Sequence, residues 1–259
     1  MSALRGKRVV ITRAQHQADG LARLLAEQEA IPLSYPCLEI HPPTDSKALE
    51  GAIARLVGGD FDWVILTSAN TVAILGETLQ RLSPPPQYAV IGPATAQAMS
   101  DLGLNVAPIS RKIYTANRLL EALPAISGAQ ILLPQSELAD SDLARLLTER
   151  GAHVTAVSAY TMKIGKGGIH LATALHAGQI DVITLASPSA FHNLLTRLKD
   201  EGGDPNNLRK VALACIGSTT AQAVQTGGFN PAITAESHTV TGLIDALNAY
   251  FTQQETPHP

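Results

Sequence analysis

The sequence predicts an α/β protein made of two similar open parallel-sheet lobes joined by a two-stranded linker. Three observations carry this: a length suited to two cores, short β-rich apolar runs that each lead into helical spacing, and an internal repeat at a nearly constant offset. At 259 residues the chain exceeds one ordinary core and suits two. Its 45% apolar and 16% charged residues supply the apolar surface for both and exclude a disordered chain.

Val9-Val10-Ile11-Thr12, Trp63-Val64-Ile65-Leu66, Ala89-Val90-Ile91, Ile131-Leu132-Leu133 and Val182-Ile183-Thr184-Leu185 are nearly continuous apolar runs, as strands covered on both faces require. Helical spacing follows. Leu21, Leu24 and Leu25, and again Leu143, Leu146 and Leu147, fall at i, i+3, i+4 and form one stripe for burial. Gly103 and Gly151 have the position of helix C-terminal glycines ahead of the next strand. Strands alternating with such helices imply right-handed βαβ units.

The repeat orders these units. Asp62-Trp63-Val64-Ile65-Leu66-Thr67-Ser68 resembles Asp181-Val182-Ile183-Thr184-Leu185-Ala186-Ser187 at an offset of 119, and Ile91-Gly92-Pro93-Ala94-Thr95 resembles Ile216-Gly217-Ser218-Thr219-Thr220 at 125. Leu119–Leu123 matches Leu243–Leu247 at 124, and Leu21–Glu27 matches Leu143–Glu149 at 122. The N-terminal unit thus recurs at the end of the middle block. Residues 40–158 are expected to form a continuous lobe, and residues 1–35 with 166–259 a discontinuous one. Residues 36–39 and 159–165 are the expected crossovers, with Gly165-Lys166-Gly167-Gly168 reading as flexible.

Several function classes are disfavoured. Aromatics at 4% and a net charge of −3 leave little for base stacking or phosphate contacts, so no nucleic-acid partner is expected. No signal-peptide core and no apolar run of membrane-spanning length is present, so a cytoplasmic protein without a membrane partner is expected. Cys37 and Cys215 stand alone and read as small core residues. The eight histidines form no HExxH or i,i+4 pair, so no metal is expected. No sustained heptad is visible, and a monomer is the expectation.

In open α/β sheets ligands bind beyond the carboxyl ends of the strands, where helix N-termini present unpaired N–H groups. That rule selects Thr12-Arg13, Thr67-Ser68-Ala69-Asn70, Gly92-Pro93-Ala94-Thr95, Pro134-Gln135-Ser136, Ser187-Pro188-Ser189 and Gly217-Ser218-Thr219-Thr220. Each hydroxyl or amide taken singly is accounted for as an N-cap worth ~1 kcal/mol. As a set they would surround a common cleft with anion-binding donors. None fits GxxxxGK[ST] or GxGxxG, and Lys166 has the wrong spacing, so a nucleotide cradle is not supported.

The strings Ile11-Thr12-Arg13, Leu66-Thr67-Ser68-Ala69-Asn70-Thr71-Val72, Ile91-Gly92-Pro93-Ala94-Thr95-Ala96, Val157-Ser158-Ala159-Tyr160-Thr161, Ala186-Ser187-Pro188-Ser189 and Ile216-Gly217-Ser218-Thr219-Thr220-Ala221 together resemble the uroporphyrinogen-III synthase family, in order and over nearly the whole chain. The resemblance implies two α/β lobes and a cofactor-free lyase reaction in haem biosynthesis. In it the linear tetrapyrrole hydroxymethylbilane closes to uroporphyrinogen III with loss of water and inversion of ring D through a spiro intermediate. Tyr160 corresponds to the family's linker tyrosine and would be the proton donor, since a phenol keeps its proton at neutral pH. The alternative for Tyr160 is a ring packed at the lobe junction.

The same resemblance assigns substrate carboxylates to Thr67, Ser68, Asn70, Gly92, Thr95, Ser136, Ser187, Ser189, Gly217, Ser218, Thr219 and Thr220, largely through backbone N–H groups. Where the family commonly has an Arg-Gly pair and a further arginine, this chain has Pro134-Gln135-Ser136-Glu137-Leu138-Ala139-Asp140. Arg13 remains as the candidate cation, with Lys163 and Lys166 as linker lysines. A transient contact with the preceding pathway enzyme is also implied. The rival reading is a two-lobed intracellular small-molecule binding or regulatory module.

Overall fold

The computed structural model describes residues 2–106 and 115–255. The chain begins with β1 (Arg8–Ile11), α1 (Gln15–Glu27) and β2 (Ile31–Ser34). It continues with β3 (Glu39–His41), α2 (Ser46–Val57), β4 (Trp63–Leu66), α3 (Ala69–Gln80), β5 (Gln87–Val90), α4 (Pro93–Asp101), α5 (Ala116–Ala122), β6 (Gln130–Ser136), α6 (Asp142–Glu149) and β7 (His153–Lys163). It ends with α7 (Leu171–His176), β8 (Val182–Leu185), α8 (Pro188–Asp200), a 3-10 helix (Pro205–Lys210), β9 (Ala212–Cys215), α9 (Ser218–Thr226), β10 (Ile233–Thr234) and α10 (Val240–Glu255).

Met1–Glu39 with Lys163–Pro259 form one compact unit, and Ile40–Met162 form the other. The first holds a sheet of order β10-β9-β8-β1-β2 and the second a sheet of order β3-β7-β6-β4-β5. The pairs β1–β2, β1–β8, β8–β9 and β9–β10 are parallel, and so are β4–β5, β4–β6 and β6–β7. The repeat is visible in this order. β8 lies between β1 and β9 as β4 lies between β6 and β5, so the N-terminal β1-α1-β2 occupies the place that β6-α6-β7 holds in the other sheet.

An aspartate immediately precedes each of β8 and β4 and fixes its register. Asp181 N–H donates to Arg8 C=O (3.0 Å) while its carboxylate accepts the Arg8 N–H (2.7 Å). Asp62 treats Gln130 likewise: N–H to C=O at 2.9 Å, and the Gln130 N–H to the carboxylate at 2.8 Å. A carboxylate that accepts a neighbouring strand's first N–H satisfies a donor that would otherwise lie beyond the ladder.

Alternation along the strands divides each core in two. Val9 and Ile11 pack with Leu21 and Leu25 of α1 and Leu243 and Leu247 of α10, while Val10 faces Leu171, Phe191 and Leu194. In the second unit Val64 and Leu66 pack with Val72, Leu75 and Met99, and Trp63 and Ile65 with Leu119, Leu143 and Leu147. Leu24 and Leu146 complete the helical stripes as partly buried neighbours. Each fully buried leucine contributes roughly 2 kcal/mol.

Two features differ from the sequence expectation. Pro134-Gln135-Ser136 is not a strand-end turn, because β6 runs on through Ser136 in register with β7. Its pairing with β4 stops at Leu132, so the N–H that Pro134 lacks is not required on that side. The Gly165–Gly168 crossover is also not loose. A Cβ at Gly165 would lie 2.2 Å from Pro36 O, and one at Gly168 2.1 Å from Ser34 O, so these glycines permit close backbone contact.

Arg197 holds the same segments together. Its Nη1 donates to Pro36 O and its Nη2 to Gly167 O, both at 2.5 Å, while Nε bonds Glu201 at 2.8 Å. The guanidinium stacks on the Tyr35 ring at 3.8 Å, and Tyr35 Oη donates to Glu201 at 2.9 Å. Lys166 N–H is taken by Glu39 at 3.0 Å.

Candidate functional site

In the second unit β4 delivers Thr67, Ser68 and Asn70 to the N-terminus of α3. Ser68 is the N-cap: its backbone is extended and its Oγ accepts the Asn70 N–H at 3.1 Å. Tyr160 reaches it from β7, with Tyr160 Oη donating to Ser68 Oγ at 3.0 Å. Tyr160 is 4% exposed and its ring belongs to the unit's core beside Val157 and Ala159. Ser68 is half-buried and already accepts two hydrogen bonds, which leaves its own proton as the outward donor of the pair.

Ser136 does not cap a helix, but strand pairing sets it opposite Tyr160, and Glu137 N–H donates to Tyr160 O at 2.7 Å. Ser136 Oγ accepts the Leu138 N–H at 3.3 Å. The turn after β5 adjoins that after β4, since Ile91 N–H donates to Leu66 O at 2.9 Å. Gly92 there has φ +89°, a conformation that favours glycine, and Pro93 opens α4 with no side-chain cap. Thr95 departs from expectation: its side chain is 3% exposed, so the turn offers a ligand amide groups, not this hydroxyl.

The first unit repeats the plan. Ile216 N–H donates to Leu185 O at 3.0 Å and sets the Gly217 turn beside the Ser187 turn. Ser187 caps α8 by accepting the Ala190 N–H at 3.1 Å, and its Oγ lies 3.0 Å from that of Ser189. At α9 the N-cap is Gly217 without a side-chain cap, so the first amides of the helix, those of Ser218, Thr219 and Thr220, have no capping side chain. Ser218 and Thr219 are exposed, whereas Thr220 is 3% exposed and, like Thr95, turned inward.

Arg13 follows β1 and precedes α1, another helix without a side-chain cap. Its Nη2 donates to the neutral Gln17 Oε1 at 3.3 Å, and its Nε is buried without a hydrogen-bond partner among the described residues. Burial lowers its proton affinity below that of a free guanidinium, yet arginine stays charged at neutral pH. A partly desolvated cation with a neutral partner fits an incoming carboxylate. Thr12 beside it is fully buried and donates to Thr184 O at 2.7 Å, a sheet contact.

A turn absent from the sequence expectation completes this edge. Ala235 N–H donates to Cys215 O at 2.9 Å, so residues 235–239 leave the carboxyl end of the sheet beside the Gly217 turn. Thr239 Oγ1 accepts the Gly242 N–H at 3.0 Å and caps α10 as Thr115 caps α5. The offset of 124 that matches Leu119–Leu123 with Leu243–Leu247 carries Thr115 onto Thr239, and that was the available signal. Among the described residues no group of three or more His, Cys, Asp and Glu side chains could hold a metal, and no helix is long and apolar enough to cross a membrane.

Each unit is a parallel-sheet α/β unit whose carboxyl edge carries helix N-termini and hydroxyls, the place where such sheets take small-molecule ligands, and Arg13 stands at that edge of the first unit. The family model described as Uroporphyrinogen-III synthase HemD matches residues 5–245. The chain belongs to that family. It is 29% identical over 258 residues to the uroporphyrinogen-III synthase of Synechococcus elongatus, covering 96% of this chain and 97% of that one. A porphyrin biosynthesis protein HemD of Ruminiclostridium josui is 24% identical over 251 residues, 93% of this chain and 48% of the longer protein. A solved mutant uroporphyrinogen III synthase from the extremely thermophilic bacterium Thermus thermophilus shares the fold, with TM-score 0.60 and 20% identity over 96% of this chain and 100% of that one.

Proposed function

We propose that the protein cyclises hydroxymethylbilane to uroporphyrinogen III in the cytoplasm, as a monomer. The observation that carries this reading is the Tyr160–Ser68 hydrogen bond at the N-terminus of α3, in a chain of this family. The substrate's pyrroles supply most of the reactivity. Ser68 delivers a proton to the terminal hydroxymethyl oxygen and is reprotonated by Tyr160, the C–O bond breaks, and water leaves behind an azafulvene cation. The substituted carbon of ring D attacks it to give the spiro intermediate. In the spiro intermediate the bond from that carbon to the ring-C methylene then breaks, the ring-C azafulvene so formed is attacked by the unsubstituted α-carbon of ring D, and the proton this carbon loses returns through Ser68 to Tyr160.

The protein's larger task is to fold a flexible chain so that the correct carbon is presented, which is catalysis by positioning. Backbone amides and hydroxyls at the strand ends of each unit suit the carboxylates of such a substrate, because neutral donors leave little unpaired charge, and Arg13 of the first unit adds one cation. Freshly generated hydroxymethylbilane should yield uroporphyrinogen III, read by chromatography of the oxidised products. Accumulation of the type I isomer alone would leave a binding module and remove the enzyme.

A further inference from the structure

β10 covers only part of β9. Its pairing begins at Ile233, opposite Ala214, and Ala235 N–H then reaches Cys215 O at 2.9 Å, so Ala212 and Leu213 have no pairing residue on that side among those described. The ladder shows what this uncovers. Ala212 N–H and Ile216 N–H turn toward β8, onto Asp181 O at 3.3 Å and Leu185 O at 3.0 Å, so the backbone groups of the alternate residues Leu213 and Cys215 face the β10 side. Leu213 is 1% exposed, yet no hydrogen bond among the described residues takes its N–H. A buried N–H of this kind is a place for a bound acceptor.

A cavity of 430 Å³ opens at this gap, with Arg209, Lys210, Leu213, Phe229, Ala232 and Tyr250 in its wall. Phe229 packs with the core on one face of the sheet and Tyr250 with the core on the other, so the cavity has a ring on each side of the strand edge. Its charge is of one sign. No Asp or Glu lines it, the Arg209 guanidinium lies over the Phe229 ring at 4.9 Å, and Lys210 Nζ donates to the neutral Asn207 Oδ1 at 2.9 Å. Arg5 and Arg8 of the same unit pair with Glu29 and Asp181, whereas among the described residues no carboxylate pairs with Arg209 or Lys210. Phe191 meets Phe229 edge-on with ring centroids 5.8 Å apart, and the ring so held keeps the guanidinium flat with its N–H groups available to an anion.

We infer that this cavity binds a small aromatic carboxylate, the carboxylate on Arg209, Lys210 and the Leu213 N–H and the ring against Tyr250 and Ala232. The uncovered edge is two residues long, too short to pair an added peptide strand, while the volume is that of a small-molecule pocket. The two cations set the sign of the ligand, and the aromatic and aliphatic walls set its body. The cavity lies toward the amino end of β9, away from the turns that follow the strands, and it does not depend on the proposed reaction.

Titration of the isotope-labelled full chain with 2-naphthoate, followed by amide NMR, tests this. The Leu213 amide should shift saturably together with those of Phe229 and Tyr250, with Kd on the order of 1 mM for a ligand of this size. 2-Naphthamide, which keeps the rings and loses the charge, should bind about fivefold more weakly. Arg209→Met combined with Lys210→Met should weaken 2-naphthoate by about the same factor, and since both side chains are exposed the variant keeps its fold. An unshifted Leu213 amide would overturn the proposal. Equal affinities for the two probes, or for the wild type and the variant, would also overturn it by leaving an apolar cleft alone. Shifts centred instead on the Ser187 and Gly217 turns would do the same, because the anion would then sit at the candidate reaction site.

Discussion

Tyr160 Oη donates to Ser68 Oγ across 3.0 Å, and of the two it is the serine that is half-open while the tyrosine is 4% exposed. In the proposed reaction the phenol therefore acts as a proton reservoir behind the serine. Positioned acids contribute about 10²–10⁴-fold, and since the pyrrole itself assists departure of the hydroxyl, the lower end applies. Tyr160→Phe should lower kcat about 10²-fold with KM little changed. Ser68→Ala should lower kcat as much, although Tyr160 remains, and cost about 1 kcal/mol of stability through loss of the α3 cap. Steady-state kinetics on both variants check this. An unchanged rate in Tyr160→Phe removes the tyrosine from the chemistry, and a normal rate in Ser68→Ala restores direct donation by Tyr160.

Arg197 predicts a stability effect without a direct catalytic one. Its guanidinium is covered by the Tyr35 ring and bonds Glu201 and the carbonyls of Pro36 and Gly167. Arg197→Met keeps the length of the side chain but leaves these acceptors without their donor, and should cost about 3 kcal/mol. Tyr35→Phe, which removes only the bond to Glu201, should cost about 1 kcal/mol. Urea unfolding compares them, and equal midpoints for the two variants would show that the clamp is not anchored on the arginine.

The fold was legible because its two periodicities are strong. Val9–Ile11 and Trp63–Leu66 are apolar on both faces, Leu21 and Leu25 recur at helical spacing, and the offset of 119 aligns Asp62 with Asp181, each of which holds a neighbouring strand. What was not legible depends on contacts distant in sequence. Pro134-Gln135-Ser136 reads as a strand-end turn, yet β6 runs on through it, because pairing with β4 has already stopped at Leu132 and the N–H that Pro134 lacks is not needed on that side. Gly165 and Gly168 read as flexible, yet they are spaces for the carbonyls of Pro36 and Ser34. Thr95 and Thr220 have the composition of a site and the burial of a core, and His238 joins Gly217 across a span that no local pattern links.

The two cysteines make a prediction about reactivity. Both are buried, and desolvation pushes each thiol up to about 12; at Cys37 the Arg197 charge acts in the opposite direction without reversing this. The thiolate is the reactive form. A thiol-specific disulfide reagent should therefore label the native protein only slowly at neutral pH and label two groups per chain in denaturant. Rapid labelling of the native state would show that one of these segments opens easily.

Asp181 gives the acid limb of stability a specific origin. Burial favours its neutral form, but the side-chain and backbone hydrogen bonds from Arg8 and the charges of Arg8 and Lys7 outweigh burial and hold the carboxyl below the usual range. A carboxyl depressed in the folded state binds fewer protons there than in the unfolded chain. Its stabilisation is complete above the unfolded value of about 3.9 and is lost as pH falls through the lower folded value. Asp181→Asn keeps an acceptor for the Arg8 N–H and loses the charge. The variant should be about 1 kcal/mol less stable at pH 7, allowing for the partial exposure of the pair. The difference should persist to about pH 4 and close below it, as the wild-type carboxyl takes up its proton. Urea midpoints from pH 7 down to pH 2.5 measure it, and a gap that stays constant over that range would exclude the Arg8–Asp181 pair as the source.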